Sequence, residues 1–267
     1  MFADREGICL MKRAVDGSAG DADYGRIGAG YTSFRQPEPA IARFIEEALG
    51  GARTVLNVGA GAGSYEPRDR EVIAVEPSAA MRAQRPAELP EAIDATAEAL
   101  PFADASFDAA MASFTIHQWR DLDRGLSEMR RVTRGPIVIL SCDPEFVQEF
   151  WLNEYAPDVL ATEARRYPAL ARIAATLGPR TQALPVPIPL VCRDGFNEAY
   201  YGRPEMLLIE GARQANSAWS FVPAETAAAA VHTLKRDIDS GEWDRRHGGL
   251  RRQPFFEGSL RLFLSPA

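Results

Sequence analysis

The stretch Thr54-Val55-Leu56-Asn57-Val58-Gly59-Ala60-Gly61-Ala62-Gly63 confines this chain to few architectures. Its apolar, β-branched first half reads as a buried parallel strand. Glycines spaced two apart follow at once, where a backbone without Cβ atoms turns tightly and lets a ligand come close. Open α/β sheets bind their ligands at such carboxyl ends. The register is G-x-G-x-G, and Ser64 stands where a dinucleotide fingerprint wants its last glycine.

A second apolar run, Val72-Ile73-Ala74-Val75, ends on Glu76, with Pro77-Ser78 after it. A carboxylate there suits a ribose diol, because it only accepts hydrogen bonds and can take two. Strand, glycine loop, strand and acid together indicate a nucleoside-binding crevice.

The remaining pattern alternates helices with strands. Ile41, Phe44, Ile45, Ala48 and Leu49 fall at helical spacing over 39–49, closed by Gly50-Gly51. Only a short polar segment separates Gly63 from Val72. A parallel crossover usually takes about a dozen residues including a helix, and Pro67 limits helix further. A shortened or irregular first crossover is expected. Ser78 would cap a short helix reaching Ala83. Ala92 to Ala95 would be a third strand and Ala109 to Ser113 a fourth. Leu122, Leu126, Met129 and Val132 repeat at helical spacing, and Pro136-Ile137-Val138-Ile139-Leu140-Ser141 is the strongest strand. This alternation predicts an α/β fold with a doubly wound parallel sheet.

Beyond Asp143 the pattern changes. Residues 146–175 read as helical, broken at Pro157 and Pro168. Pro185, Pro187 and Pro189 make 183–191 an edge strand or a strand beside a gap, since proline cannot donate to a ladder. Residues 195–250 read as helical, with Trp219, Phe221 and Trp243. Ser259-Leu260-Arg261-Leu262-Phe263-Leu264 closes the chain as an alternating strand.

Composition narrows the function classes. With 267 residues the chain can bury a sizeable interior, and 46% hydrophobic with 25% charged residues is ordinary for a soluble protein. The net charge of −7 argues against sequence-independent nucleic-acid binding. The arginine pairs Arg130-Arg131, Arg165-Arg166, Arg245-Arg246 and Arg251-Arg252 are scattered and read as solvated faces. Cys9, Cys142 and Cys192 form neither a disulfide framework nor a zinc site, and His117, His232 and His247 have no metal-ligand spacing. No apolar run is long enough to span a bilayer. Residues 1–23 read as a disordered tail without a signal peptide, with Met11 as an alternative start and a cytoplasmic location expected.

With these residues in view, the first two-thirds resembles the class I S-adenosylmethionine-dependent methyltransferases. It is most similar to the subfamily reading "VLDxGxGxG … xDxSxxM … xAExLPFxDxSFDxV … HxxxxxxxxLxExxRVLxPGG". This chain offers Val55 to Gly63, then Glu76-Pro77-Ser78-Ala79-Ala80-Met81, then Ala97-Glu98-Ala99-Leu100-Pro101-Phe102-Ala103-Asp104-Ala105-Ser106-Phe107-Asp108. His117 and Leu126-Ser127-Glu128-Met129-Arg130-Arg131-Val132 continue the series, so the match covers residues 24–143. The resemblance implies a Rossmann-like seven-stranded doubly wound sheet. Residues 144–258 would be helical insertions forming a substrate lid around one core strand, and 259–267 the final strand.

It also implies site residues. Asn57, Gly59, Ala60, Gly61 and Gly63 would hold the methionyl end of S-adenosyl-L-methionine. Glu76, with Pro77, would bind the ribose, and Met81 would pack on the adenine. Thr96 and Ala97, with Glu98 beside them, would meet the adenine edge. Ser113 would floor the sulfonium. Asn57 departs from the usual aspartate, and Thr96 from an adenine-binding aspartate. In the arm Tyr24 to Arg35, Tyr31 and Arg35 are candidates to cover the cofactor, Arg35 gripping its carboxylate with a forked pair.

His117, just past the fourth strand, is a candidate general base or a hydrogen-bonded structural residue. Asp143 and Asp194 are weaker base candidates. Trp119, Phe150, Trp151, Phe196, Tyr200, Tyr201 and Trp219 are core residues or walls of an acceptor pocket. The expected reaction is O-, N- or C-methylation of a small molecule, leaving S-adenosyl-L-homocysteine. The alternatives are a cofactor-binding protein of the same fold that transfers no methyl, and a nicotinamide-dependent oxidoreductase, which the glycine register opposes. An RNA methyltransferase is disfavoured by the acidity.

Overall fold

The computed structural model describes residues 30–267. The expected tail and the arm residues 24–29 lie outside the described residues, as does the side chain of Tyr31. One mixed sheet organises the rest in the order β2-β1-β3-β4-β8-β5. Its strands are β1 (Thr54–Val58), β2 (Glu71–Val75), β3 (Ala109–Ser113), β4 (Ile137–Cys142), β5 (Gln182–Pro185) and β8 (Leu260–Ser265). The first four run parallel, and β8 lies antiparallel between β4 and β5. A separate short ribbon pairs β6 (Ile188–Pro189) with β7 (Phe255–Phe256).

Side-chain alternation along the strands splits the interior into two faces. Val55, Met111, Val138 and Leu262 point to the face covered by the helix Pro39–Leu49 and by the aromatic residues Trp151, Tyr201 and Trp243. Leu56, Ala110, Ile137, Ile139 and Phe263 point to the other, covered by the helices Leu122–Val132 and Leu170–Leu177. All six residues of β4 are buried, as its uninterrupted apolar run requires.

The first crossover is as irregular as its length dictates. Residues 59–70 contain turns and no helix, so one βαβ unit is wound without its α element. The helix after β2 is a single turn, Ala79–Arg82, whose first orphan donors are met by Ser78 Oγ accepting from the Met81 N–H at 3.3 Å.

The third strand shrinks to one bridge, Val75 to Ile93. The Ile93 N–H donates to Ala74 O at 2.9 Å, and Ile93 O accepts from the Glu76 N–H at 3.0 Å. Pairing cannot grow upstream, because Pro90 has no N–H and its carbonyl accepts from Arg85. Downstream, Asp94 turns out to pair with Arg82. The sheet therefore has six strands and a seventh position held by a single residue.

The proline-rich run also splits. β5 is the outer edge of the sheet, as prolines require, whereas Ile188–Pro189 leaves the sheet for the β6/β7 ribbon. Pro157 begins its helix rather than breaking one, standing at the first turn of Pro157–Arg166, where a missing N–H costs nothing. Pro168 separates that helix from Leu170–Leu177.

Candidate functional site

The carboxyl ends of β1 and β2 open a crevice whose walls follow from the glycine register. Gly59, Gly61 and Gly63 all take positive φ, at 69°, 52° and 92°, where a side chain would be strained. Gly59 also has no room. A Cβ there would lie 2.1 Å from Thr115 Oγ1. The loop is anchored to β2 by the Gly59 and Ala60 N–H groups, which both donate to Val75 O at 2.9 and 3.0 Å.

Glu76 closes the crevice. Its Oε2 accepts from the Gly61 N–H at 2.8 Å, and its Oε1 from the Ser78 N–H at 2.8 Å. Burial raises its carboxyl pKa, against the pull of those two N–H groups and of Arg82 and Arg85. A carboxylate has about four acceptor positions, so two bonded N–H groups leave capacity for a diol. Met81 is buried, its methyl 3.4 Å from where a Gly61 Cβ would sit. Acid, glycine loop and Met81 thus share one crevice.

Beneath the loop lies a network that the sequence does not announce. Asn57 Nδ2 donates to Glu66 Oε1 at 3.0 Å, and Arg85 grips Glu66 with a fork of two 2.9 Å bonds. Both charged side chains are enclosed, at 4% and 0% exposure for Arg85 and Glu66. The carboxylate missing at position 57 is therefore supplied from Glu66. Asn57 Oδ1 stays enclosed without a hydrogen-bond partner among the described residues. Leu89 and Arg85 lie against Gly63, where a Cβ would meet Leu89 Cδ1 at 2.2 Å.

Next to the crevice opens a small cleft of about 30 Å³. It gathers Arg35, Phe114 and His117, then Glu163, Arg166 and Tyr167, then Phe196 and 215–218. Contact between Gly59 and Thr115 joins it to the glycine loop, because Thr115 sits between Phe114 and His117. A second link runs through Tyr65, whose hydroxyl donates to Asp194 Oδ2 at 2.9 Å. Asp194 Oδ1 in turn accepts from Arg35 Nε. The Arg35 guanidinium also lies over the Phe114 ring, 5.0 Å from its centroid.

His117 is buried, edge-on to Tyr167 at 4.8 Å. Its Nδ1 and the Ser113 Oγ are enclosed without partners among the described residues. Burial, then the positive charges of Arg166 and Arg35, hold its imidazole pKa well below the ordinary value, so it stays neutral. Glu163 is pulled the other way. Burial raises its carboxyl pKa, while Asn197 Nδ2 donates to it at 2.8 Å and Tyr167 Oη at 3.4 Å.

Residues 56–136 match the family model described as a methyltransferase domain. Over those residues the chain is similar to the S-adenosylmethionine-dependent methyltransferases. Over 133 residues it is 33% identical to a malonyl-[acyl-carrier protein] O-methyltransferase of Pseudescherichia vulneris, covering 47% of this chain and 51% of that one. Over 113 residues it is 34% identical to a demethylmenaquinone methyltransferase of Porphyromonas gingivalis, covering 38% and 44%. The chain thus spans about half the length of the curated relatives it matches. A solved structure from Anabaena variabilis, provisionally described as a methyltransferase from an antibiotic biosynthesis pathway, aligns over 87% of this chain and 98% of its own. The TM-score is 0.79 at 27% identity.

The crevice at the mouths of β1 and β2 brings together Gly59, Ala60, Gly61, Gly63, Glu76 and Met81, with Asn57 directly beneath. Pro77, next to Glu76, and Thr96 are exposed. Ala97 is buried against Trp119 and Gly125 instead. The Glu98 carboxylate accepts from the Arg120 and Asp121 N–H groups, an anchor for the turn before the helix Leu122–Val132. Asp143 caps the helix Pro144–Val147, and Asp194 is bonded to Arg35 and Tyr65, so both serve structure. Of the candidate aromatic walls only Phe196 lines the cleft. Trp119, Phe150, Trp151, Tyr200, Tyr201 and Trp219 pack in the two cores. Arg166, read from sequence as part of a solvated pair, is instead buried in the cleft lining, and Phe114, Glu163 and Tyr167 went unread in the sequence, because no spacing links a strand end to a helix some fifty residues on. A β3 end followed by a buried histidine was the one available signal.

Proposed function

We propose that this chain transfers a methyl group from S-adenosyl-L-methionine to a small-molecule acceptor. The observation that carries the reading is the Glu76 carboxylate, 2.8 Å from the Gly61 N–H at the joint mouth of β1 and β2. A different placement of that acid would leave the glycine turn without its ribose clasp. The residues fit this cofactor. The glycine cradle is filled by any Cβ at Gly59, Glu76 keeps acceptor capacity, and Asn57 Oδ1 and Ser113 Oγ are buried polar atoms without partners among the described residues.

In this reading Gly59, Ala60, Gly61 and Gly63 hold the methionyl end with Asn57 and Glu66 behind them, and Glu76 with Pro77 takes the ribose. Met81 lines the crevice, Thr96 and Ala97, with Glu98, border the adenine end, and Tyr31 and Arg35 belong to the covering arm. When bound, the cofactor supplies a methyl carbon activated by a sulfonium. The protein orients the acceptor against it and excludes water. Ser113 and His117 stand at the end of β3, where the crevice meets the cleft. His117, neutral and with an unpartnered nitrogen, accepts the proton that a hydroxyl or amine acceptor must lose. Residues 144–258 act as the lid, contributing Glu163, Arg166, Tyr167, Phe196 and 215–218 to the cleft. A small acceptor is favoured over nucleic acid by the acidity of the chain.

Calorimetry with S-adenosylhomocysteine tests the cofactor half. Glu76→Ala should weaken binding about 5- to 150-fold, the loss of roughly 1–3 kcal/mol expected when buried polar groups lose a partner. Unchanged affinity would remove Glu76 from the site. Release of labelled methyl into acceptor candidates then separates a transferase from a protein that only holds the cofactor.

A further inference from the structure

The cleft beside the crevice is too small for an acceptor. About 30 Å³ admits a water or two, and no organic molecule that could carry a methyl group away. Its walls must part before one enters, and the contacts that hold them together converge on Asp194. The buried Asp194 carboxylate accepts from Arg35 Nε through Oδ1 and from the Tyr65 hydroxyl at 2.9 Å through Oδ2. Burial, then the charge of Asp194, hold the Tyr65 phenol well above its ordinary pKa, so it stays the donor. Arg35 belongs to the arm, Tyr65 to the crossover two residues past Gly63, and Asp194 to the lid. One carboxylate therefore joins three segments far apart in the chain.

Backbone and packing continue the same seam. Arg35 and Asp194 form an antiparallel bridge, the Gly195 N–H donates to Phe34 O at 2.8 Å, and Asn216 Nδ2 donates to Gly195 O at 2.9 Å. The Phe34 ring lies so close to Gly211 that a Cβ there would meet it at 2.5 Å. On the core side, Tyr65 and Phe114 both take left-handed backbone, with φ 63° and 52°, and their rings lie 6.5 Å apart. Bulky residues keep that conformation only where their surroundings hold it, and such residues gather at switch regions. Phe114 in turn lies under the Arg35 guanidinium and 5.3 Å from Phe196, so it faces both the arm and the lid.

We infer that Asp194 is a positioning residue: it latches the acceptor cleft shut and, through Tyr65, ties the opening of that cleft to the state of the glycine loop. This deepens the reading given above and rests on it. A ligand seated on Gly59 to Gly63 fixes the backbone that carries Tyr65, and with it the bond to Asp194 and the lid segment around it. The acceptor enters only when the Asp194 bonds give way. The coupling is reciprocal, so a lid that stands open holds the cofactor less tightly.

Amide hydrogen exchange of the full chain tests this without knowledge of the natural acceptor, with and without saturating S-adenosylhomocysteine. In Asp194→Asn, and in Tyr65→Phe, which removes a single hydroxyl, amides of 33–36 and 195–218 should exchange about tenfold or more faster than in the parent. The helix Leu122–Val132, on the other face of the sheet, should keep its protection, which shows that the variants are folded. In the parent, S-adenosylhomocysteine should slow exchange at 195–218 about threefold or more, and in Tyr65→Phe that response should vanish although the ligand is bound. A residue that merely braces the lid would loosen it and leave the response intact. The inference is overturned by parental exchange at 195–218 in both variants, by a parent that shows no response, or by a response that survives in Tyr65→Phe. Should S-adenosylhomocysteine fail to bind the parent, the methyl-transfer reading falls, and exchange in ligand-free Tyr65→Phe alone decides the latch.

Discussion

The buried pair Glu66–Arg85 offers a quantitative test of how this chain replaces the usual aspartate of its crevice. Glu66→Gln keeps the shape and one acceptor oxygen but removes the charge that faces the Arg85 fork. Both side chains are enclosed, so Arg85 would stay buried without its counter-charge. Breaking one partner of such a pair costs about 3–5 kcal/mol, and the isosteric amide places this variant near the lower end, about 3 kcal/mol. That is a large share of the 5–15 kcal/mol, roughly, that holds a domain together. Arg85→Met should cost a comparable amount, since it leaves the carboxylate with Asn57 as its one remaining partner in the network. Replacing both with apolar groups of similar volume, Glu66→Leu with Arg85→Met, removes the stranded charge altogether and is often near neutral. Asn57 Nδ2 then lacks an acceptor, a cost of about 1–3 kcal/mol, and the exposed Pro90 carbonyl loses its Arg85 donors to water. The double variant should therefore be more stable than the summed losses of Glu66→Leu and Arg85→Met, each of which strands one charge, by about 3 kcal/mol or more. Urea midpoints at constant m-value measure this. Simple additivity, or a Glu66→Gln cost below about 1 kcal/mol, would show that the network is a surface-like pair with no structural weight.

Two further predictions follow the same logic. Glu198 is buried, accepts from the Ser259 N–H and hydroxyl at 2.9 to 3.0 Å, and has its carboxyl pushed up by burial to about 7 from an ordinary 4.5. A carboxyl held protonated longer in the folded chain stabilises it least at high pH. Stability from this group is full below about 4.5 and is lost as pH rises through about 7, a change of about 3 kcal/mol at roughly 1.4 kcal/mol per pH unit. Subtracting a Glu198→Gln profile from the parent's should isolate that slope, and parallel profiles would refute it. His117, held neutral, has the opposite sign, which is why the difference is the readout. For the glycine loop, Gly59→Ala combines positive φ with a 2.1 Å clash on Thr115, whereas Gly61→Ala meets only a methyl at 3.4 Å. Adding a left-handed penalty of about 1–2 kcal/mol to an overpacking cost of about 1–3 gives roughly 2–5 kcal/mol for Gly59 and about 1–2 for Gly61. Equal losses in thermal unfolding would mean that Thr115 yields freely.

Local pattern alone located most of the sheet and the crevice. β1, β3, the helix Pro39–Leu49 and the helix Leu122–Val132 lie where apolar periodicity puts them, because each buries a face set by its own residues. The glycine spacing and the acid ending β2 marked the crevice between β1 and β2 for the same reason, since backbone freedom and side-chain chemistry are properties of single residues. Tertiary structure decided everything that needs two distant segments. It reduced the third strand to Ile93, because Pro90 and Asp94 were claimed by Arg85 and Arg82. It supplied a carboxylate to Asn57 from Glu66. It tied Arg35 to Asp194, assigned six of the seven candidate aromatics to core packing, and brought Glu163, Arg166 and Phe196 to face His117. Charge pairing and cavity lining depend on distances across the fold, and no periodicity within one segment carries them.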